Sequence, residues 1–177
     1  GATVGTHLFN AMRAVHHREP GPALALLEDA RVTVELIADG VHVHPAMQRA
    51  VMETAGADRV ALVTDATAAA GLGNGEFQLG TVQIEVVGQV ARVRGTSTIA
   101  GSTATMDQLF RAAADLGPDR DAALVAAVQM TSTTPARALG LGDVGNLRPG
   151  SDANLVVLDG DLHVARVMVD GDWLVDD

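Results

Sequence analysis

Short β-rich runs alternate with helix-patterned stretches from residue 1 to about residue 140, and that alternation restricts the chain to βα units around a parallel sheet. Thr3 to Leu8 reads as a first strand, Pro22 to Ala30 as a helix, and Arg31 to Ala38, dense in Val, Leu and Ile, as a second strand. Pro45 to Ala55 reads as a second helix with proline in its first turn, where the missing N–H has no acceptor to lose. Val60 to Thr64 is a third strand, apolar throughout as a strand buried on both faces should be. The fold class expected is α/β.

Gly71-Leu72-Gly73-Asn74-Gly75 interrupts the alternation. Gln78 to Arg94 then reads as antiparallel strands around Gly88-Gln89, a β insertion at about 76–98. Helices are expected near Thr103 to Leu116, with Met106, Leu109 and Phe110 at helical spacing, and from Arg120 to Leu139. From Val144 onward the pattern is all β, with turns at Arg148-Pro149-Gly150 and Asp170-Gly171 around strands such as Ala153 to Leu158. Two segments follow: residues 1–143, carrying the βα units and the insertion, and residues 144–177.

Composition excludes several classes of function. The 177 residues are 47% hydrophobic, which suits a buried core rather than disorder. A formal net charge of −10 disfavours nucleic acid and anionic membrane surfaces as partners. All 12 basic residues are arginines, so the segment supplies no lysine for a Schiff base or a carboxylated-lysine metal bridge. No apolar run reaches the roughly eighteen residues a membrane-spanning helix needs. The absence of cysteine excludes disulfides and thiolate metal sites and fits a cytoplasmic protein. Gly1 to His7 already reads as a strand with no methionine before it, so the expectation is a truncated chain.

Each βα strand finishes in a polar cluster: Thr6-His7 with Asn10, Asp39-Gly40-Val41-His42, and Thr64-Asp65. C-terminal strand ends of a parallel α/β protein face one another, so these residues can converge on one pocket. Two histidines and an aspartate there suit metal-assisted hydrolysis, in which a metal activates water and a carboxylate carries the proton. Each residue also has a plainer reading. His7 can be a hydrogen-bonded structural histidine, and Asp65 an N-cap. His42-Val43-His44 has the spacing of an HxH metal pair on a strand, but His44 precedes Pro45, which places it extended at the start of a helix. Arg18 can bind a phosphate through its planar fork, or pair with Glu19 or a helix end. Gly71 to Gly75 lacks a following GK[ST] and reads as a turn. Met47, Met52, Met106 and Met130 read as core filler.

Thr6-His7-Leu8-Phe9-Asn10-Ala11-Met12, followed by Arg18-Glu19-Pro20-Gly21, resembles the THLFNAM…REPG segment of N-acetylglucosamine-6-phosphate deacetylases. Leu36 to Pro45, Leu62 to Ala66 and Ile99-Ala100-Gly101-Ser102 continue the likeness in the family's order. Gly145 to Gly150 with Ala153 to Leu158 is similar to the closing strands of amidohydrolases generally. The resemblance implies a TIM-like (β/α)8 barrel of which this chain holds strands six to eight, with residues from about 144 forming C-terminal strands of a small β-sandwich. The implied reaction is hydrolysis of N-acetylglucosamine 6-phosphate to glucosamine 6-phosphate and acetate, with a divalent metal, by family pattern zinc, as cofactor.

On the same resemblance His7 is a metal ligand and Asp65 the catalytic aspartate, base first and then acid. Asn10, the Ala11 backbone and Arg18 hold the phosphate, Arg18 from its own subunit or across a homodimer. His42 touches substrate, which demotes the HxH metal reading, and Ile99, Ala100 and Gly101 line the sugar. A barrel of this kind needs roughly 250 residues, and the remaining metal ligands and the carbonyl-polarising histidine fall upstream of Gly1. The expectation is therefore a chain that lacks its N-terminal half, or is separated from it, and that is inactive and prone to aggregate alone. Competing readings are a non-catalytic sugar-phosphate-binding or dimerisation module, and another amidohydrolase such as a cyclic-amide hydrolase.

Overall fold

The structure, a computed structural model, describes residues 1–174; residues 175–177, the end of the expected sandwich segment, lie outside the described residues. Its centre is a parallel sheet in the order β1 (Val4–Gly5), β2 (Thr33–Leu36), β3 (Val60–Leu62). Helix α1 (Gly21–Glu28) carries the chain from β1 to β2, and α2 (Pro45–Ala55) from β2 to β3. Gly5 pairs with Val34, Val34 with Val60, and Leu36 with Leu62. Val34, Leu36 and Val60 are fully buried, and in β2 the buried residues alternate with half-buried Thr33 and Glu35, so one face of that strand packs into the core. The sheet's apolar side chains continue into Val51 of α2 and into Leu109, Phe110 and Met130 of later helices, forming one core.

Local chemistry fixes where the elements start and stop. His44 is extended and its ring accepts the Ala46 N–H at 3.2 Å, so it caps α2, with Pro45 as the first helical residue. Gly56 ends α2 at φ +76°, a conformation that favours glycine. Arg59 donates to the carbonyls of Leu27, Asp29 and Val32 at 2.8, 2.9 and 3.2 Å, tying the turn after α1 to the start of β3.

The first strand is shorter than the expected Thr3 to Leu8. His7, Phe9 and Ala11 have φ of 33°, 74° and 53°, which breaks the strand into a run of turns. Pairing persists at one point beyond it, where the Leu8 N–H donates to Glu35 O at 2.8 Å.

An antiparallel meander follows: β4 (Gly75–Leu79), β5 (Val82–Val87) and β6 (Val90–Val93), with Gly88-Gln89 turning β5 into β6. It has its own small core of Ala69, Ile84, Val86, Ala91 and Ala100. Helices α3 (Met106–Ala114) and α4 (Arg120–Val128) then pack on the main core. The expected helix from Arg120 to Leu139 departs from a regular helix: Gln129–Thr133 form a π turn before α5 (Thr134–Ala138). Pro135 has no N–H and would crowd the carbonyl four residues back, and the widened turn relieves this, with Thr134 N–H reaching Gln129 O. The chain ends in an antiparallel sheet of β7 (Leu155–Leu158), β8 (Val164–Val169) and β9 (Asp172–Trp173). Leu158 and Leu162 reach the main core, whereas Val156, Val157, Val164 and Trp173 remain exposed.

Candidate active site

Parallel pairing brings the C-terminal ends of β1, β2 and β3 to one edge of the sheet. His7 follows β1 by two residues, Asp39 and His42 follow β2, and Asp65 follows β3 by three. The strand ends lie at one edge of the sheet, as their parallel direction requires.

His7 sits half-buried in the left-handed region, and its Nδ1 is sealed from solvent without a hydrogen-bond partner. An unpartnered buried ring nitrogen is costly unless something outside these residues satisfies it. Asp65 is also left-handed, at φ 48°, and exposed, and its carboxylate makes no hydrogen bond or ion pair among the described residues. It caps no helix, because β3 is followed by turns rather than a helical segment.

Asp39 and His42 form the most ordered polar unit of the site. Their side chains are 7% and 6% exposed. Asp39 Oδ1 accepts the Val41 and His42 backbone N–H groups at 2.9 and 2.8 Å, while Oδ2 lies 2.7 Å from His42 Nδ1 and accepts from Ser102 Oγ at 3.1 Å. Burial pushes the Asp39 carboxyl up, but the bonds from the His42 ring and from the His42 and Val41 N–H groups outweigh it and hold the group below the usual carboxylate range. The HxH pair is not realised: residues 39–43 form bends, His42 turns to Asp39, and exposed His44 caps α2. Sequence reasoning gave neither Asp39 nor Ser102 a role. The Asp-Gly pair closing β2 marks a turn, and nothing in the linear pattern ties Ser102 to residue 39.

Ile99, Ala100, Gly101 and Ser102 stitch the meander to the strand ends. Ala100 N–H donates to Ala91 O at 3.0 Å, Ser102 N–H to Asp65 O at 2.9 Å, and Thr67 N–H to Ser102 O at 2.9 Å. Gly101, at φ +82°, passes so close that a Cβ would lie 3.0 Å from Asp65 O and 2.7 Å from Thr67 Cγ2. Ala100 is buried, and Ile99 and Gly101 are half-buried.

In the loop after β1, the Asn10 amide donates to the carbonyls of His7 and Leu8 at 3.3 and 3.2 Å. Ala11 is exposed and left-handed. Glu19 pairs with Arg13 at 3.0 Å rather than with Arg18, and the exposed Arg18 guanidinium has no partner among the described residues. A cavity of about 350 Å³ lies between the Gly88-Gln89 turn and α3, bordered by Asp39, Ser102 and Gln108 but by none of His7, His42 and Asp65.

The donor set tests whether these residues can hold a metal. The orphaned Nδ1 of His7 suits a ligand, but among the described residues no group of three His, Asp or Glu is placed to hold a metal ion. A catalytic zinc typically takes about three protein ligands. These residues therefore supply one donor and not a complete metal site.

A parallel α/β sheet with two histidines and two aspartates at its carboxyl edge is the setting of a hydrolase, and the comparisons agree: the chain belongs to the amidohydrolase family, whose family model matches residues 1–174. Within that family it is similar to N-acetylglucosamine-6-phosphate deacetylases. A variant of that enzyme from Mycobacterium smegmatis, solved in complex with N-acetyl-D-glucosamine-6-phosphate, is 58% identical with a TM-score of 0.96, covering 99% of this chain and 46% of that one. The Homo sapiens deacetylase is 43% identical over 99% of this chain and 44% of its own length. A putative N-acetylgalactosamine-6-phosphate deacetylase of Escherichia coli K12 is 40% identical over 93% of this chain and 96% of its own length. The chain spans less than half the length of the human and mycobacterial relatives and corresponds to their C-terminal portion.

No helix among the described residues is long and apolar enough to cross a membrane.

Proposed function

We propose that the chain is the C-terminal portion of a deacetylase that hydrolyses the acetamide of N-acetylglucosamine 6-phosphate. The observation that carries this reading is the convergence of His7, His42 and Asp65 on one sheet edge in a chain similar throughout to deacetylases of that substrate. On this reading β1, β2 and β3 stand as the sixth to eighth strands of a (β/α)8 barrel. Residues 1–143 are the barrel portion, and residues 144–177 belong to a β-sandwich.

Water adds to the acetyl carbon, the C–N bond breaks, and the sugar nitrogen takes a proton, giving glucosamine 6-phosphate and acetate. Asp65 is the proton carrier. Its unpartnered, accessible carboxylate can take a proton from the attacking water and deliver it to the departing nitrogen. His7 contributes one ligand to a divalent metal, by family pattern zinc, which when bound acidifies water; the other ligands come from outside these residues. The unpaired guanidinium of Arg18, the Ala11 backbone N–H and Asn10 bind the phosphate, with the Asn10 amide turning from the local carbonyls it engages here. His42 contacts the sugar, and Ile99, Ala100 and Gly101 line it. The enzyme works in the cytoplasm as a homodimer.

Hydrolysis tests the reading, followed as acetate release from the sugar phosphates and as ring opening of the cyclic amides, with zinc, for this chain alone and for the chain joined to the N-terminal portion of a relative. The substrates are N-acetylglucosamine 6-phosphate, its galacto epimer and a panel of cyclic amides. Turnover of the first by the joined protein supports the reading. Preference for cyclic amides, or sugar-phosphate binding without turnover, overturns it.

A further inference from the structure

We infer that Asp39 is a positioning residue that fixes the tautomer of His42, so that the substrate must offer a hydrogen-bond donor, such as a sugar hydroxyl, to His42 Nε2. The inference rests on the sugar-phosphate reading above for the identity of that substrate. The tautomer itself follows from the hydrogen bonds alone.

Asp39 accepts four hydrogen bonds, two on each oxygen. The Val41 and His42 backbone N–H groups can only donate to Oδ1. At Oδ2 the Ser102 hydroxyl is oriented as a donor, because its own oxygen already accepts the Ala104 N–H at 2.9 Å. An ionised carboxylate only accepts, so the 2.7 Å contact to His42 requires the proton on Nδ1. In the neutral ring Nε2 is then a bare acceptor. It has no protein partner among the described residues and, unlike Nδ1 of His7, is not sealed from solvent. Because the side chains of both Asp39 and His42 are more than nine-tenths buried, the ring cannot easily swing to another partner.

Ser102 gives the arrangement a second consequence. The residue that buttresses Asp39 also bonds the Asp65 backbone, and it directly follows the Ile99–Gly101 segment. One carboxylate thereby ties the His42 ring to the segment proposed to line the sugar.

Asp39→Asn separates a positioning role from a merely structural one. The Asn side-chain oxygen can still accept the two backbone N–H groups, which leaves an NH2 facing His42 and turns an acceptor into a donor. The ring must then present Nδ1 as acceptor and carry its proton on Nε2. Histidine-labelled protein would be followed by ¹⁵N NMR at about pH 9, above the ordinary histidine pKa of about 6.5, with His42 assigned by His42→Gln. The wild type is expected to show a protonated Nδ1 and a bare Nε2. Asp39→Asn should reverse the pattern, and Ser102→Ala should retain it. A protonated Nε2 in the wild type overturns the inference even if Asp39→Asn fails to fold, and so does an unreversed pattern in a folded Asp39→Asn. Adding N-acetylglucosamine 6-phosphate to the joined protein should shift the wild-type Nε2 signal. If the tautomer pattern holds but that ligand moves no signal, the substrate reading fails while the role of Asp39 in setting the ring stands.

Discussion

The Ser102 N–H donates to the Asp65 carbonyl at 2.9 Å, so the segment entering from the β4–β6 meander is bonded directly to the residue at the end of β3. Gly101 makes that approach possible. Replacing it with alanine would put a methyl 3.0 Å from the Asp65 carbonyl oxygen at φ +82°. Gly101→Ala is expected to cost about 1–3 kcal/mol, read as a lower denaturation midpoint, and to reduce turnover by displacing Asp65.

Asp65→Asn should behave differently. The side chain is exposed and makes no bond, and asparagine tolerates the left-handed backbone, so stability should stay within about 0.5 kcal/mol of wild type. Acetate release by the joined protein should fall roughly 100-fold to 10,000-fold if Asp65 carries the proton. Steady-state rates alongside urea unfolding check both halves.

Thr134 is fully buried, and its hydroxyl donates to Ala57 O at 2.7 Å, joining the turn after the π segment to the loop before β3. Thr134→Val keeps the volume but leaves that carbonyl unpaired. A loss of about 1–3 kcal/mol is expected by chemical denaturation.

Asp39 predicts the acid response. Its carboxyl titrates below the usual 3.8 when folded, so the unfolded chain takes up the proton first as pH falls. The stability it contributes is complete above about pH 3.8 and declines as pH drops through the lower folded value. Asp39→Asn should flatten that part of a stability-against-pH curve and leave the neutral region parallel to wild type.

The chain alone should self-associate. β1 and β3 are the outer strands of the parallel sheet, and Val156, Val157, Val164 and Trp173 of the closing sheet are exposed. Light scattering is expected to rise with concentration for the isolated chain and to fall when the N-terminal portion of a relative is joined to it.

The sequence by itself determined the βα order, the buried apolar strands and the placement of His7, His42 and Asp65 at strand ends. These follow from short-range periodicity and from the rule that parallel strands run in one direction. The same local chemistry showed in Pro45, which stops the strand that an HxH pair would need. Tertiary structure alone decided the rest. The left-handed backbone that cuts β1 short falls on His7, Phe9 and Ala11, none of them glycine, where no local pattern announces it. Pro135 marks a break in the helix, but that the chain runs on through a π turn, with Thr134 bonded to Ala57, is seen only in the folded chain. Ser102 meets Asp39 across 63 residues of chain, and the sequence, which places Asp39 in the polar cluster after β2, does not show that contact. Local propensity acts over a few residues, whereas a buried carboxylate collects its four hydrogen bonds from whatever the folded chain brings to it.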